Sequence, residues 1–364
     1  METVKKIPYG MSNFEDVIMQ NCYYVDKTMY IPLLEDQANY LIFIRPRRFG
    51  KSLLLSMVRS YYDLSQKDKF QQLFGNLWIG QHATPLQGKY QILYLDFSKI
   101  GGNIDELPQR FDSYSAVQLD GFLNRYREYY TDEFIERFSA ADKGIDKLHI
   151  LDDEARRLGY PLYLIIDEYD NFTNQLLTSY NDPLYEEVTT NDSFLRTFFK
   201  VIKAGIGEGS IRTCFCTGVL PVTMDDLTSG YNIAEILTLK PGFLNMLGFT
   251  YTETEKYLRY VLRKYSGSEE QFEEIWQLIV SNYDGYRFSP SGELLFNSTI
   301  LTYFFKNYAE TASIPPELID ENLRTDINWI RRLTLSLTNA KEMLDALVID
   351  DELSYNVSDL SSKF

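Results

Sequence analysis

The chain has 364 residues, which is long enough for two domains with a sizeable core, and its 45% hydrophobic and 24% charged residues indicate a folded protein. Its net charge of −16 argues against general nucleic-acid binding, which is driven by the neutralisation of phosphates. Two histidines and three cysteines without metal-ligand spacing argue against a zinc site and against a Ser-His or Cys-His hydrolase.

Features that the chain lacks suggest its location. The N-terminal segment Met1–Pro8 has no signal-peptide hydrophobic region, and no apolar run approaches the roughly 20 residues that span a bilayer. Cys22, Cys214 and Cys216 are few and odd in number, as expected for buried thiols in a reducing compartment. We therefore expect a cytoplasmic protein that does not bind membranes.

Residues 9–39 precede the first predicted strand. They contain an extended piece, 21–28, and then a short helix through Leu33 and Leu34. Segments placed just before a phosphate-binding loop often line an adenine pocket, and Tyr24, Val25 and Asp26 are the candidates here. Ordinary packing of the N-terminal segment explains the same residues.

The next segment predicts a strand, a tight loop and a helix in direct succession. The apolar run Tyr40–Ile44 is typical of a buried strand, and a leucine-rich helical pattern begins at Leu53. Between them lies the arrangement of a phosphate-binding loop, in which main-chain N–H groups and the helix dipole hold phosphates. Lys51 would reach the β- and γ-phosphates, and the Ser52 hydroxyl would ligate Mg²⁺.

One position of this loop departs from the usual pattern of Gly, four residues and Gly-Lys-Ser/Thr, because Arg45 replaces the first glycine. Pro46 fixes one backbone dihedral beside it. Taken alone, the segment also fits a helix cap rich in basic residues. The candidate nucleotide-binding residues of the loop are Arg45, Pro46, Arg47, Arg48, Phe49, Gly50, Lys51 and Ser52.

A second strand is predicted at Gln91–Asp96, and helical patterns fill the stretch of about 97–160 that follows. Loops of that length need structure of their own, so we expect a helical insertion and a crossover helix. Its charge pattern is that of a solvated helix face, although a partner surface would look similar.

The apolar run Leu162–Ile166 ends in two carboxylates, Asp167 and Glu168. Such a run suits a parallel strand buried on both faces, and ligands of α/β sheets bind at the carboxyl ends of strands. Asp167 would hold Mg²⁺, and Glu168 would orient or deprotonate the attacking water. A strand that ends in solvated acids is the ordinary alternative. We expect the acids to meet Lys51 across neighbouring strands.

A further strand, Ile211–Thr217, ends in a residue that would lie beside the two acids. Thr217 would sense the γ-phosphate there, or its hydroxyl would cap its own turn. A fifth strand at Ile236–Leu239 completes a β/α alternation, which predicts an α/β fold with a mostly parallel five-stranded sheet flanked by helices. A strand that lies, in sequence, between the Lys51 strand and the acidic strand is typical of P-loop proteins with an extra catalytic glutamate, here Glu168.

Near residue 248 the alternation ends. Thr250–Glu253 forms a capping box, and helical patterns follow to about residue 308. We therefore expect a P-loop ATPase domain at 1–247 and a C-terminal helical lid at 248–364. Arg287 of the lid is a candidate for the γ-phosphate, with an exposed surface arginine as the simpler interpretation.

Several of these segments together resemble the prokaryotic AAA-ATPase-like family of bacterial proteins. They are Ile7–Gly10 with Phe14, Tyr24–Thr28, Arg45–Ser52, Leu164–Asp170, Thr217–Val219 and Tyr283–Tyr286. The resemblance implies a P-loop ATPase of the STAND-like branch and makes Arg45 a family trait. Relatives often carry a PD-(D/E)xK nuclease-like domain, whose residue pattern we do not find, so DNA processing is not carried over.

Three functions fit these residues. The preferred one is ATP hydrolysis with Mg²⁺ in a conformational switch, with Glu168, Lys51 and Thr217 as catalytic residues. The alternative is a nucleotide-gated interaction module with little turnover, which acts on a protein partner or as a homo-oligomer. The third is DNA binding by the basic cluster Arg45–Lys51. The chain has no guanine-specificity motif in a suitable place, which favours adenine.

Overall fold

The computed structural model describes residues 3–102, 106–171, 194–219, 234–266, 268–283 and 285–320. These ranges contain one five-stranded sheet, formed by β1 (Tyr40–Ile44), β2 (Gln91–Asp96), β3 (Leu162–Asp167), β4 (Ile211–Gly218) and β5 (Glu235–Ile236). The α-helices are α1 (Phe14–Met19), α2 (Tyr30–Glu35), α3 (Lys51–Tyr62), α4 (Phe70–Phe74), α5 (Trp78–Gln81), α6 (Leu107–Arg125), α7 (Asp132–Ala140), α8 (Gly144–Leu158), α9 (Phe194–Glu208), α10 (Tyr251–Val261), α11 (Phe272–Tyr283) and α12 (Ser298–Thr311). None of the helices in this part of the chain is long and apolar enough to cross a membrane.

All pairings in the sheet are parallel, and its strand order is β2-β3-β4-β1-β5. β1 and β3 are buried along their whole length, because helices cover both faces of the sheet. Alternate side chains of β1 enter different cores, with Tyr40 and Ile42 on one face and Leu41 and Phe43 on the other. The predicted α/β class and mostly parallel five-stranded sheet are confirmed.

The order of the strands corrects one expectation about the site. The strand before the phosphate loop, β1, is not a neighbour of the acidic strand β3, because β4 pairs with both of them. The carboxyl end of β4, which carries Thr217, therefore lies between the loop and the acids. The two halves of the predicted site meet across this strand rather than directly.

The predicted bounds of the fifth strand were also wrong. β5 covers Glu235–Ile236, whereas the sequence pattern placed the strand at Ile236–Leu239. Beyond Ile236, the hydroxyl of Thr238 accepts the amide N–H of Ile44 at 2.8 Å. Because the Thr238 hydroxyl accepts this N–H in place of a main-chain carbonyl, the main chain does not need to continue as a strand beyond Ile236.

Helices α6, α7 and α8 occupy the stretch between β2 and β3. The hydroxyl of Thr131 accepts the amide N–H of Phe134 at the start of α7, and Gly159 ends α8 in the left-handed conformation with φ of 67°. The apolar sides of these helices pack against β2 and β3 in one of the two sheet cores. In its described residues, the stretch of about 97–160 is thus mainly helical, with short connections between the helices.

The C-terminal helices form a third core of their own. Both hydrogen bonds of the capping box between Thr250 and Glu253 are present at the start of α10. Tyr23 and Val25 pack against this core, so the N-terminal segment crosses the boundary proposed at residue 248. Gly267, Asp284 and residues 321–364 of the predicted lid lie outside the described residues.

Candidate functional site

The loop after β1 is held by its own lysine. Nζ of Lys51 donates to the main-chain oxygens of Arg45 at 2.9 Å and Pro46 at 3.0 Å. An ammonium group has three N–H donors, so one is left to point at a ligand. Burial lowers the pKa of Lys51, while the negative charge of Asp167 acts in the opposite direction.

The backbone of the loop takes two left-handed residues. Arg48 has φ of 70°, and Gly50 has φ of 89° immediately before α3 begins. Glycine adopts this conformation readily, whereas an arginine there is strained. The chain therefore enters a 12-residue helix directly at Lys51. The first N–H groups of this helix have no partners within it.

Asp167, at the end of β3, receives three hydroxyl groups. Ser52 donates to Oδ2 at 2.6 Å, and Thr217 donates to Oδ1 at 2.6 Å. Tyr94 of β2 also donates to Oδ2, at a longer 3.4 Å. Burial raises the pKa of the Tyr94 phenol well above its usual value, so it remains a donor at neutral pH.

Sequence reasoning placed Asp167, Ser52 and Thr217 in the site and missed Tyr94. Tyr94 stands within β2, two residues before its end, and its neighbour across the sheet is Ile165. No motif surrounds it. Only the pairing of β2 with β3 brings its hydroxyl to the acidic strand.

Glu168 follows Asp167 in a strained conformation, with φ of 51°. Its pKa is raised, chiefly by burial and then by the charge of Asp167, while Lys51 lowers it. Left-handed backbone at a residue other than glycine is uncommon and clusters at functional sites. The carboxyl group of Glu168 thus belongs to the same acidic corner but is more basic than an exposed glutamate.

A cavity of about 440 Å³ lies beside the loop, a size typical of small-molecule sites. The predicted residues that line it are Tyr24, Val25, Arg47, Arg48, Phe49, Gly50, Lys51, Ser52 and Glu168. Lining residues that the sequence did not indicate include Ser298, Thr299 and Thr302 of α12. Arg45, Pro46, Asp26, Asp167 and Thr217 are not among the lining residues.

The side chain of Arg45 is fully buried and bonded elsewhere. Its Nη1 donates to the main-chain oxygens of Ile44 and Thr238, both at 3.0 Å, and its Nη2 donates to that of Leu244 at 3.0 Å. The guanidinium also lies over the Phe288 ring, 3.8 Å from its centroid. Burial lowers the pKa of Arg45 to about 9. Arg45 therefore fastens the start of the loop to the segment after β5 and does not add charge to the cavity.

This position also bears on the third hypothesis, DNA binding by the basic cluster. Arg45 and Lys51 are buried, and only Arg47 and Arg48 of that cluster are exposed. Two exposed arginines make a small basic surface on a chain with net charge −16. The structure gives this hypothesis no extended phosphate-binding face in the described residues.

Two further candidates, Asp26 and Arg287, do not line the cavity. Asp26 accepts the N–H and the hydroxyl of Thr28, at 2.9 and 2.7 Å, and the N–H of Trp78 at 2.7 Å. It therefore orders the N-terminal segment. Arg287 is exposed and does not line the cavity, which agrees with the simpler interpretation of a surface arginine.

Comparison with known proteins identifies related sequences. Residues 8–228 match the profile of an AAA-ATPase-like family described as "Predicted AAA-ATPase". A protein of Azotobacter chroococcum mcd 1, described as an uncharacterized protein in the vnfD 5′ region, is 24% identical over 310 residues, 83% of this chain. The alignment covers 52% of that protein, so the chain spans about half the length of this relative.

A solved structure, the Walker-type ATPase PABY2304 of Pyrococcus abyssi, aligns with a TM-score of 0.41 and 12% identity. The alignment covers 79% of this chain and 67% of that one.

Proposed function

The chain belongs to the predicted AAA-ATPase family, and on that basis we propose that it binds ATP with Mg²⁺ beside residues 45–52 and hydrolyses it. The observation that supports this proposal most strongly is the contact between Ser52 and Asp167. Their oxygen atoms lie 2.6 Å apart next to the cavity, and Lys51 is held at the same end of the loop. This chemistry needs an aspartate and a serine that bind the metal ion and a lysine that binds the phosphates.

The oxygen atoms of Ser52 and Asp167 fit Mg²⁺. Both are hard oxygen donors, which Mg²⁺ prefers over nitrogen or sulphur. Among the described residues no cluster of three or more His, Cys, Asp or Glu side chains forms a protein-only metal site. Mg²⁺ commonly takes one or two protein ligands and completes its shell with phosphates and water, so two donors suffice. When bound, Mg²⁺ neutralises charge that develops on the phosphates.

The protein's own residues then divide the work. Lys51 directs its remaining N–H at the phosphates, and Glu168 accepts a proton from a water whose oxygen attacks the γ-phosphorus while the bond to the bridging β–γ oxygen breaks. The raised pKa of Glu168 makes its carboxylate a better base than an ordinary glutamate. Thr217 keeps Asp167 oriented through its hydrogen bond, and it would respond to the γ-phosphate through Asp167.

Tyr24 and Val25 line the cavity and supply an apolar wall for the base, which we propose is adenine. We further propose that turnover drives a conformational switch of the STAND-like type, because helix α12 also lines the nucleotide cavity. A protein partner or a second copy of the chain would respond to this switch. Three free, buried cysteines and the use of ATP suit a cytoplasmic setting.

The test compares wild type with Lys51→Ala and Glu168→Gln by calorimetric ATP binding and single-turnover phosphate release. We expect Lys51→Ala to lose binding, and Glu168→Gln to bind ATP normally and release little phosphate. Lys89→Ala is the matched control, because Lys89 is exposed and precedes β2 at the opposite end of the sheet. Equal ATP binding by Lys51→Ala and wild type would refute the site. Normal binding by wild type without phosphate release would instead favour the interaction module.

A further inference from the structure

Helix α12 holds the outer side of the phosphate loop. The hydroxyl of Thr299 donates to the main-chain oxygen of Arg48 at 2.6 Å, and the Thr299 N–H points to the same oxygen at 3.3 Å. Two residues earlier, Nδ2 of Asn297 donates to the main-chain oxygen of Arg47 at 3.4 Å. These contacts join residues about 250 positions apart in the chain.

The contacts fix the orientation of two peptide units. None of the described residues has a cis peptide bond, and in a trans peptide the C=O and the following N–H point in opposite directions. An Arg48 oxygen held by Thr299 therefore turns the N–H of Phe49 away from α12. An Arg47 oxygen held by Asn297 does the same for the N–H of Arg48. Main-chain N–H groups of this loop are the groups that cradle phosphates.

The strain in the loop occurs at the residue that α12 holds. Arg48 is left-handed at φ of 70°, a conformation that persists in a residue other than glycine only when its surroundings enforce it. Asn297 also caps α12, because its Oδ1 accepts the N–H groups of Thr299 at 3.1 Å and Ile300 at 3.3 Å. The side chain of Asn297 therefore both starts the helix and holds the loop.

Aromatic contacts hold the next loop residue. The Phe49 ring meets Tyr286 edge-on, with centroids 4.7 Å apart, and Phe288 at 5.7 Å. Both partners lie between α11 and α12. The family match ends at residue 228, so these supports for the loop come from a part of the chain outside it.

We propose that Thr299 is a positioning residue of the nucleotide site, and that α12 sets the phosphate affinity of the loop by orienting its peptide units. This inference rests on the proposed function only in identifying the triphosphate as ligand. Because coupling between two sites is reciprocal, a bound triphosphate must also stabilise the seating of α12 on the loop. The stability of the contact between α12 and the loop would thereby depend on whether the cavity holds a triphosphate.

The experiment measures the affinity of Thr299→Val for two probes, ATP and inorganic tripolyphosphate, by calorimetry. Valine keeps the shape of threonine and removes the hydroxyl, so we expect both affinities to fall about five-fold, the effect of one neutral hydrogen bond. Thr299→Ser should bind like wild type. Thr311→Val makes the same change at the far end of α12, where the hydroxyl bonds Asn307 and Ser313, and should also bind like wild type.

A second readout distinguishes positioning from mere stabilisation. In wild type, either probe should slow hydrogen exchange in the first turn of α12, and this protection should shrink in Thr299→Val. Unchanged affinity and unchanged protection in Thr299→Val would overturn the inference. Binding of tripolyphosphate without ATP would refute the proposed function and still test Thr299. Binding of neither probe by wild type would refute both.

Discussion

The hydroxyl of Ser52 donates to Oδ2 of Asp167 over 2.6 Å, although 115 positions separate the two residues and β4 lies between β3 and β1, the strand that leads to Ser52. Ser52 reaches the acid because it stands in the first turn of α3, which starts beyond the end of the sheet. The end of β4 is thereby enclosed between the loop and the acidic strand. Thr217, which stands one residue before the end of that strand, becomes the second partner of Asp167.

The first prediction concerns this second partner. Thr217→Val removes one of the two donors to Oδ1 of a buried carboxylate and leaves the N–H of Glu168. We expect turnover to fall about 10- to 100-fold, the range typical of residues that orient metal ligands. The free energy of unfolding should fall by about 1–3 kcal/mol, because the carboxylate loses a hydrogen bond. Steady-state ATPase rates and urea unfolding measure the two effects.

Thr217→Ser is the control for this change, because it keeps the hydroxyl and loses only a methyl group. It should retain most of the turnover. If Thr217→Val hydrolysed ATP at the wild-type rate, the hydroxyl would have no role in orienting Asp167.

The second prediction is a pH dependence of stability at Glu168. The pKa of Glu168 is raised in the folded protein, so folding favours its neutral form. The stability that the neutral carboxyl group allows is fully present below the pKa of the unfolded chain, and it is lost as pH rises through the pKa of the folded protein. At pH 7 the wild type therefore carries a penalty that Glu168→Gln removes. We expect Glu168→Gln to melt at a higher temperature than wild type at pH 7, with the difference vanishing by about pH 4.

Glu136→Gln, an exposed position on α7, is the matched control and should show little change in melting temperature at either pH. A Glu168→Gln variant that melts below wild type at pH 7 would mean that the carboxylate is stabilised by its surroundings, contrary to the direction inferred from its burial.

The third prediction separates the two roles of arginine in the loop. Arg45→Met should lower the free energy of unfolding by about 2–4 kcal/mol, because three main-chain oxygens lose a charged donor. ATP affinity of the folded variant should stay within about three-fold of wild type. Arg47→Ala, at an exposed position lining the cavity, should weaken ATP binding and leave stability unchanged.

Arg45→Lys tests the geometry of this anchor, because lysine keeps the charge but lacks the planar fork that reaches several oxygens at once. We expect it to be destabilised as well. A large loss of ATP affinity in Arg45→Met at unchanged stability would reverse the assignment of the two arginines.

The fourth prediction concerns the pair of Lys27 and Glu253, which ties the N-terminal segment to α10. Nζ of Lys27 lies 2.7 Å from Glu253 and also donates to the main-chain oxygen of Asn245 at 2.9 Å. Lys27→Met and Glu253→Gln should each destabilise the protein. The double-mutant cycle in urea should give a coupling energy of about 0.5–3 kcal/mol. Additive effects of the two changes would show that the pair does not hold these segments together.

Local patterns predicted much of the sheet. Tyr40–Ile44 and Gln91–Asp96 form strands with those bounds, because continuous apolar runs between polar turns have few other ways to be buried. The fifth strand was predicted at the wrong residues, because the hydrogen bond from the Ile44 N–H to the Thr238 hydroxyl joins distant segments of the chain. No local pattern records such a contact.

For the candidate site, the sequence by itself determined which chemical groups are present: a lysine and a serine at the start of a helix, and two acids at the end of a buried strand. These follow from neighbours in the chain and from the rule that strand ends of a parallel sheet meet at one edge. Tertiary structure alone decided which side chains face the cavity. Arg45 lies in the interior, because main-chain oxygens and the Phe288 ring contact its guanidinium there. Tyr94 contacts Asp167 and Thr299 contacts the loop, although both belong to elements that are distant in sequence. A hydrogen bond depends on distance in space, and residues far apart in sequence come within its range only when the strands and helices pack.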